Sequence, residues 1–311
     1  MWGHLPDGVR ALLERDLSPT DLQTLLLSVA AARAEAVTPA RVLRRWREDR
    51  FVRPSTTDPR ALASLEARLW DLLPPTVDGV ELSPVAPLGT CSVVSGTGQH
   101  RQVTTVRGTE VVGDPTNALA VEAAARRARQ DRSGRVDLAC CHRVLRGQGF
   151  DGPGLFAHFR LFCLVTSTRD IGSGRASAGM LVDHLRFWTR VLAELLPDAE
   201  ARIAVSVFDA PVLAERLRDT ILPAVGTPAG SGSGVVVVED PDRVHGRGYY
   251  TGAAVSIDVR DGDGWQNLGD GGLTTWTAQL TGDRKELCLT SCVSTERLLA
   301  LSGRSAARPV R

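Results

Sequence analysis

The chain's only two tyrosines, Tyr249 and Tyr250, stand side by side in VHGRGYYTGAAVSIDV, with glycines on either side. So uneven a distribution of one residue type singles the segment out as a candidate site. The other reactive residues exclude more than they offer. Lys285 is the single lysine and sits in the charged turn TGDRKEL. Neither a phosphate loop ending in Gly-Lys-Ser/Thr nor a buried Schiff-base lysine is therefore available. The sequence also lacks a Gly-x-Ser-x-Gly elbow and a His-Glu-x-x-His zinc helix. Any phosphate chemistry must be handled by arginine. Six cysteines in 311 residues are too few for a disulfide framework. Cys140 and Cys141 are adjacent, so on a strand they face opposite sides, and Cys288, Cys292 and His142 offer no CxxC spacing. The thiols are expected to be buried, with no metal held by protein side chains.

The elements that must position these residues read clearly. With 43% hydrophobic residues the chain can bury a large core. Lys plus Arg total 37 against 36 Asp plus Glu, leaving no excess of charge to track a phosphate backbone. The most apolar N-terminal run, LQTLLLSVAAARA, is broken by Arg33 and is too short to span a bilayer, so a cytoplasmic protein is expected. Helices are predicted over DGVRALLERD, SPTDLQTLLLSVAAARAEA, TPARVLRRWRED and DPRALASLEARLWDLLP, the last three opened by a cap followed by proline. Short strands follow in GVELSPVAPLG, CSVVSGTG and RQVTTVRGTEVVG, then a helix from Asp114. VDLACCHRVLR and LFAHFRLFCLVTS read as a hairpin around the loop GQGFDGPG. A long helix, a strand and a helix lead through the flexible GTPAGSGSG to the strands VVVVED, GAAVSIDVRD, GWQNLGD and KELCLTSCV, expected in an antiparallel sheet. A short helix, STERLLALSG, closes the fold. This is an α+β pattern: a helical extension over residues 1–57, a core over 58–303 and a disordered tail over 304–311.

The order of these elements resembles the catalytic domain of class II aminoacyl-tRNA synthetases, in particular the histidyl-tRNA synthetase family, over residues 58–303. RALASLEARLWDLLPPTVDGVELSPVAPLG is similar to the first class motif, which implies a homodimer. CHRVLRGQGFDGPGLFAHFRLF is similar to the second and STERLLAL to the third, and GRGYYTGAAV resembles the segment that walls the amino-acid pocket. The resemblance implies ATP with Mg2+ as cofactor. It assigns Arg143 to the α-phosphate, Arg297 to the γ-phosphate side, and Asp114 with Thr116 to a substrate ammonium. Tyr249, Tyr250, Gly271 and Gly272 then fall in the amino-acid pocket.

Departures from the family pattern bear on catalysis. The acid expected two residues after Arg143 is Leu145, and the family's catalytic arginine aligns with His245, with Arg247 two residues on as a substitute. The residues that read a histidine side chain are replaced by Leu161 and Val165, which implies a more apolar pocket. No anticodon-binding domain follows the third motif, so tRNA charging is not expected. Two readings stay open. One is ATP-dependent adenylation of an amino acid or small carboxylate for a non-tRNA acceptor. The other is a catalytically inactive regulatory or ligand-binding subunit, as in the regulator of the first histidine-biosynthesis enzyme. Residues 1–57 would serve in docking a partner protein or acceptor.

Overall fold

The structure, a computed structural model, describes residues 2–129, 134–147, 157–226, 234–262 and 264–306. Helices α1 (Pro19–Glu35), α2 (Pro39–Glu48) and α3 (Pro59–Asp71) begin where the cap-proline signals place them. Ser18, Thr38 and Asp58 each accept a bond from a first-turn N–H, and the proline after each needs none. None of α1 or α2 is buried, whereas α3 turns Leu62, Leu65 and Leu69 into the core.

Strands β1 (Asp78–Gly79), β2 (Val85–Pro87) and β3 (Thr109–Val111) lead to α4 (Pro115–Arg127). The hairpin follows as β4 (Arg135–Leu145) and β5 (His158–Arg169), then α5 (Arg175–Leu195), β6 (Ala201–Val207) and β7 (Val235–Glu239). β8 (Ala253–Asp261), β9 (Gly264–Thr274), β10 (Glu286–Ser294) and α6 (Thr295–Ala306) complete the fold. One eight-stranded sheet runs in the order β1-β4-β5-β10-β9-β8-β6-β7, and β2 pairs with β3 beside it. The α+β reading and the mainly antiparallel sheet therefore hold. VVVVED is a correction: β7 pairs with β6 in parallel, as β1 does with β4, so only the edges depart from the antiparallel pattern.

Helices on both faces account for the composition of the central strands. On β4, Val136, Leu138, Cys140 and Val144 pack with Leu119, Ala120 and Ala123 of α4, while Ala139 joins the α5 side. β5 is buried on both faces and reads LFCLV without alternation. Behind it Phe162, Phe187, Trp188 and Trp70 form edge and stacked contacts at 4.7–6.3 Å.

Two predicted strands differ. CSVV lies in a short helix, Thr90–Val94, because the Glu110 carboxylate accepts the N–H groups of Gly89 and Cys91 and so caps it from a distance. GVELSPVAPLG yields only β1 and β2, since Pro84 and Pro87 cannot donate to a ladder. Helix α6 runs to Ala306, into the span expected to be a disordered tail. Most of GQGFDGPG and GTPAGSGSG lies outside the described residues.

Candidate functional site

A cleft of about 360 Å³ opens on the α4 face of the sheet. Helix α4 enters it with its N-terminal turn. Asp114 caps that helix: Oδ1 accepts from the Thr116 N–H (3.0 Å) and hydroxyl (2.7 Å), and Oδ2 accepts from the Tyr249 hydroxyl at 3.3 Å. Asn117, one residue further, is 1% exposed. It lies against the Tyr249 hydroxyl, and neither of its amide atoms has a hydrogen-bond partner among the described residues.

The tyrosines arrive on a tight turn. Gly246 at φ +85° lets its carbonyl accept from the N–H groups of both Tyr249 and Tyr250. The rings meet edge-on at 4.9 Å, and Tyr249 meets Trp276 at 5.5 Å in the same manner. Burial raises both phenols, so they act as neutral donors. Gly271 and Gly272 lie beneath: a Cβ on Gly272 would fall 2.5 Å from the Tyr250 ring, and one on Gly271 would fall 2.4 Å from the Thr290 carbonyl. Their absent side chains let β9 approach the tyrosine and β10.

Groups of both charges line the cleft. Arg101, Arg146 and Arg243 border the cleft together with Gln102. Arg146 stacks on Phe159 at 5.1 Å and donates Nε–H to the Gly113 carbonyl at 3.0 Å. Arg243 donates Nε–H to the His245 carbonyl at 3.0 Å, while its buried Nη1 has no partner among the described residues. Against them stands Asp270 on β9, whose carboxyl is raised by burial and by the neighbouring Asp114, with Arg243 and Tyr250 opposing the rise. Burial pushes the Cys91 thiol up to about 12, which makes it a neutral wall residue rather than a nucleophile. Eight buried side-chain polar atoms among the described residues lack a partner, and four of them belong to Gln102, Asn117 and Arg243 at this one cleft. Native interiors rarely tolerate such atoms, and half of those in the described residues belong to side chains in the wall of this cleft.

Of the residues expected at the site, Asp114, Thr116, His245, Tyr249 and Tyr250 line the cleft, and Gly271 and Gly272 support it. The exposed His245 sits at its rim. Arg143 is not brought there. It lies on the strand face shared with Ala139 and binds Glu296 at 3.1 Å and His158 at 3.0 Å. Arg297 donates to the Asn267 carbonyl at 3.0 Å. Arg247 stacks on Phe208 at 4.8 Å and pairs with Asp209 at 3.5 Å. Leu161 and Val165 are 5% and 0% exposed and pack under α4, so the cleft is not the apolar pocket their types implied. The sequence reading missed Arg101, Gln102, Asn117, Arg146, Arg243 and Asp270. For Arg146 a signal existed: it lies an odd number of residues from Arg143 and so on the other strand face.

With this geometry in hand, solved structures give the fold a class. Apo histidyl-tRNA synthetase from S. aureus matches at 13% identity and TM-score 0.59, over 81% of this chain and 67% of that one. An ATP phosphoribosyltransferase regulatory subunit/histidyl-tRNA synthetase from Bacillus halodurans matches at 15% identity and TM-score 0.55, over 81% and 82%. A histidine–tRNA ligase subunit from Alicyclobacillus acidocaldarius matches at 14% and 0.57, over 82% and 98%. No protein-family model and no curated protein sequence matches. The chain therefore has a class II synthetase-like core. At these identities the likeness is one of fold.

Proposed function

We propose that the chain is a ligand-binding relative of the class II core that takes up an α-amino acid without forming an adenylate. The observation that carries this reading is that Gln102, Asn117 and Arg243, each with an unpartnered polar atom, line one cleft with Asp114 and Asp270. Its guanidinium groups suit a ligand carboxylate and its carboxylates suit an ammonium. The volume of about 360 Å³ stands near the lower end of the roughly 300–1,000 Å³ usual for ligand pockets, a size suited to one amino acid. Arg143 and Arg297, expected to hold the phosphates, are held by other partners outside the cleft.

Adenylate formation is the second reading, and the three cleft arginines favour it. Arg101, Arg146 and Arg243 would then hold the phosphates of ATP, whose binding supplies an activating leaving group. Mg2+ in such sites is typically held by one or two carboxylates plus substrate phosphates, and Asp114 and Asp270 are the carboxylates at hand. The transfer acceptor would be something other than tRNA.

Calorimetry of the full chain with each L-amino acid, first alone and then with Mg-ATP, separates the readings. Binding without nucleotide and no amino-acid-dependent pyrophosphate exchange is the expected result. Exchange above background would establish the adenylating reading, and no amino-acid binding under either condition would remove both.

A further inference from the structure

The cleft holds two carboxylates, whereas the ammonium of a simple amino acid calls for one. We propose that Asp270 is a specificity-determining residue and that it selects an α-amino acid whose side chain ends in a cation, such as lysine or ornithine. This rests on the amino-acid reading of the cleft and narrows it.

The two carboxylates are set differently. Asp114 is tied into its helix cap and to Tyr249, at the mouth of α4. Asp270 stands on β9 between Gly269 and Gly271, directly across from Cys292, whose Sγ lies 4.0 Å from Oδ1. Among the described residues no lysine, arginine or histidine comes within ion-pair distance of Asp270, although the Tyr250 hydroxyl bonds to it and Arg243 and Arg146 lie near enough to influence it. An anion left this way in a recessed position is costly unless a cation joins it. The surroundings of Asp270 suit an ammonium in particular. The Thr290 hydroxyl, the Cys292 thiol and the 1% exposed Asn117, whose amide oxygen has no partner among the described residues, line the same cleft. A carboxylate, an amide oxygen and a hydroxyl oxygen are three acceptors for the three N–H donors of a primary ammonium. Arg146 and Arg243, which line the same cleft, remain for the ligand carboxylate.

A neutral apolar side chain would bury Asp270 with no counter-charge. The apolar residues that would have favoured such a ligand, Leu161 and Val165, are sealed beneath α4.

The test is calorimetry on the full chain with L-lysine and L-ornithine against their uncharged counterparts L-norleucine and L-norvaline. A charge-assisted contact predicts a preference of about tenfold or more for at least one of the charged ligands. Asp270→Asn should erase that preference, with circular dichroism confirming that the variant is folded. If that variant does not fold, the comparison in the wild-type protein still decides. An uncharged amino acid binding as tightly as lysine and ornithine, or a preference for the charged ligands that survives Asp270→Asn, would overturn the assignment and leave the amino-acid reading standing. Binding of no amino acid at all would overturn the reading of the cleft and this inference with it.

Discussion

A methyl group added at Gly272 would sit 2.5 Å from the Tyr250 ring and 2.6 Å from the Ala253 carbonyl oxygen, closer than side chains pack. Gly272→Ala is therefore expected to cost about 1–3 kcal/mol, the range for overpacking a tight site. Chemical denaturation should report that loss, and weaker ligand binding should accompany it through the displaced ring. Arg243 acts by a different route. Its Nε–H is fixed on the His245 carbonyl, and the side chain lines the cleft. Arg243→Ala is expected to weaken amino-acid binding by about 1.5–3 kcal/mol, while Arg247→Ala, with its partners Phe208 and Asp209 outside the cleft, should leave it unchanged. Calorimetry on both variants checks the assignment, and equal losses would refute it. Sequence reading reached the tyrosines because their clustering is local, and it reached Asp114 as a helix cap from the local cap-proline signal and as a site residue from the resemblance. It took Arg143 from the resemblance of its segment to the second class motif, and strand alternation does not reveal which face of β4 carries the cleft. Asp270 and Asn117 carry no local mark, and their significance arises only when β9 and α4 come together.

Between elements, a buried chain of hydrogen bonds fastens α5 to the sheet. Trp188 Nε1–H donates to Ser291 Oγ at 2.8 Å, which stands 2.8 Å from His184 Nδ1; His184 Nε2 meets Thr166 Oγ1 at 3.0 Å, and Thr166 donates to Asp137 at 2.6 Å. A neutral imidazole satisfies every link in one direction. Burial, the largest cause, lowers His184 to about 3, with Asp137 opposing the fall and Arg135 adding to it. In the unfolded chain a histidine titrates near 6.5. The unfolded state therefore takes up the proton first as pH falls. The contribution of His184 to stability is complete above about pH 6.5 and is lost at about 1.4 kcal/mol per pH unit down to about pH 3. Denaturation curves from pH 7 to 4 should show His184→Gln with a shallower decline than the wild-type protein. Parallel declines would mean that the imidazole is not held neutral. A second anchor joins α4 to β10, where the buried Arg127 and Glu286 pair at 2.6 Å and hold the helix that carries Asp114 and Asn117.

At the scale of the molecule, the element order was legible because the cap-proline signals and the texture of short strands are both written locally. The parallel pairing of β7 was not, since four consecutive valines fit either direction. The short helix Thr90–Val94 escaped for another reason: its cap comes from Glu110, far along the chain. The two-residue edge strand β1, packed beside α3, matches the segment read as a dimerisation motif. A two-fold dimer is accordingly proposed, and light scattering at micromolar concentration should give about twice the chain mass, with a monomer counting against it. The strand order has a consequence for synthesis. β1, β4 and β5 come from residues 78–169 and β6 to β9 from residues 201–274, and β10 alone joins the two groups by pairing with β5 and β9. Until residues 286–294 leave the ribosome, the nascent chain carries two half-sheets, each with a long apolar edge awaiting the same partner. A chain stopped at Lys285 is expected to aggregate rather than unfold cooperatively, and adding back a peptide of residues 286–306 during refolding should recover soluble material.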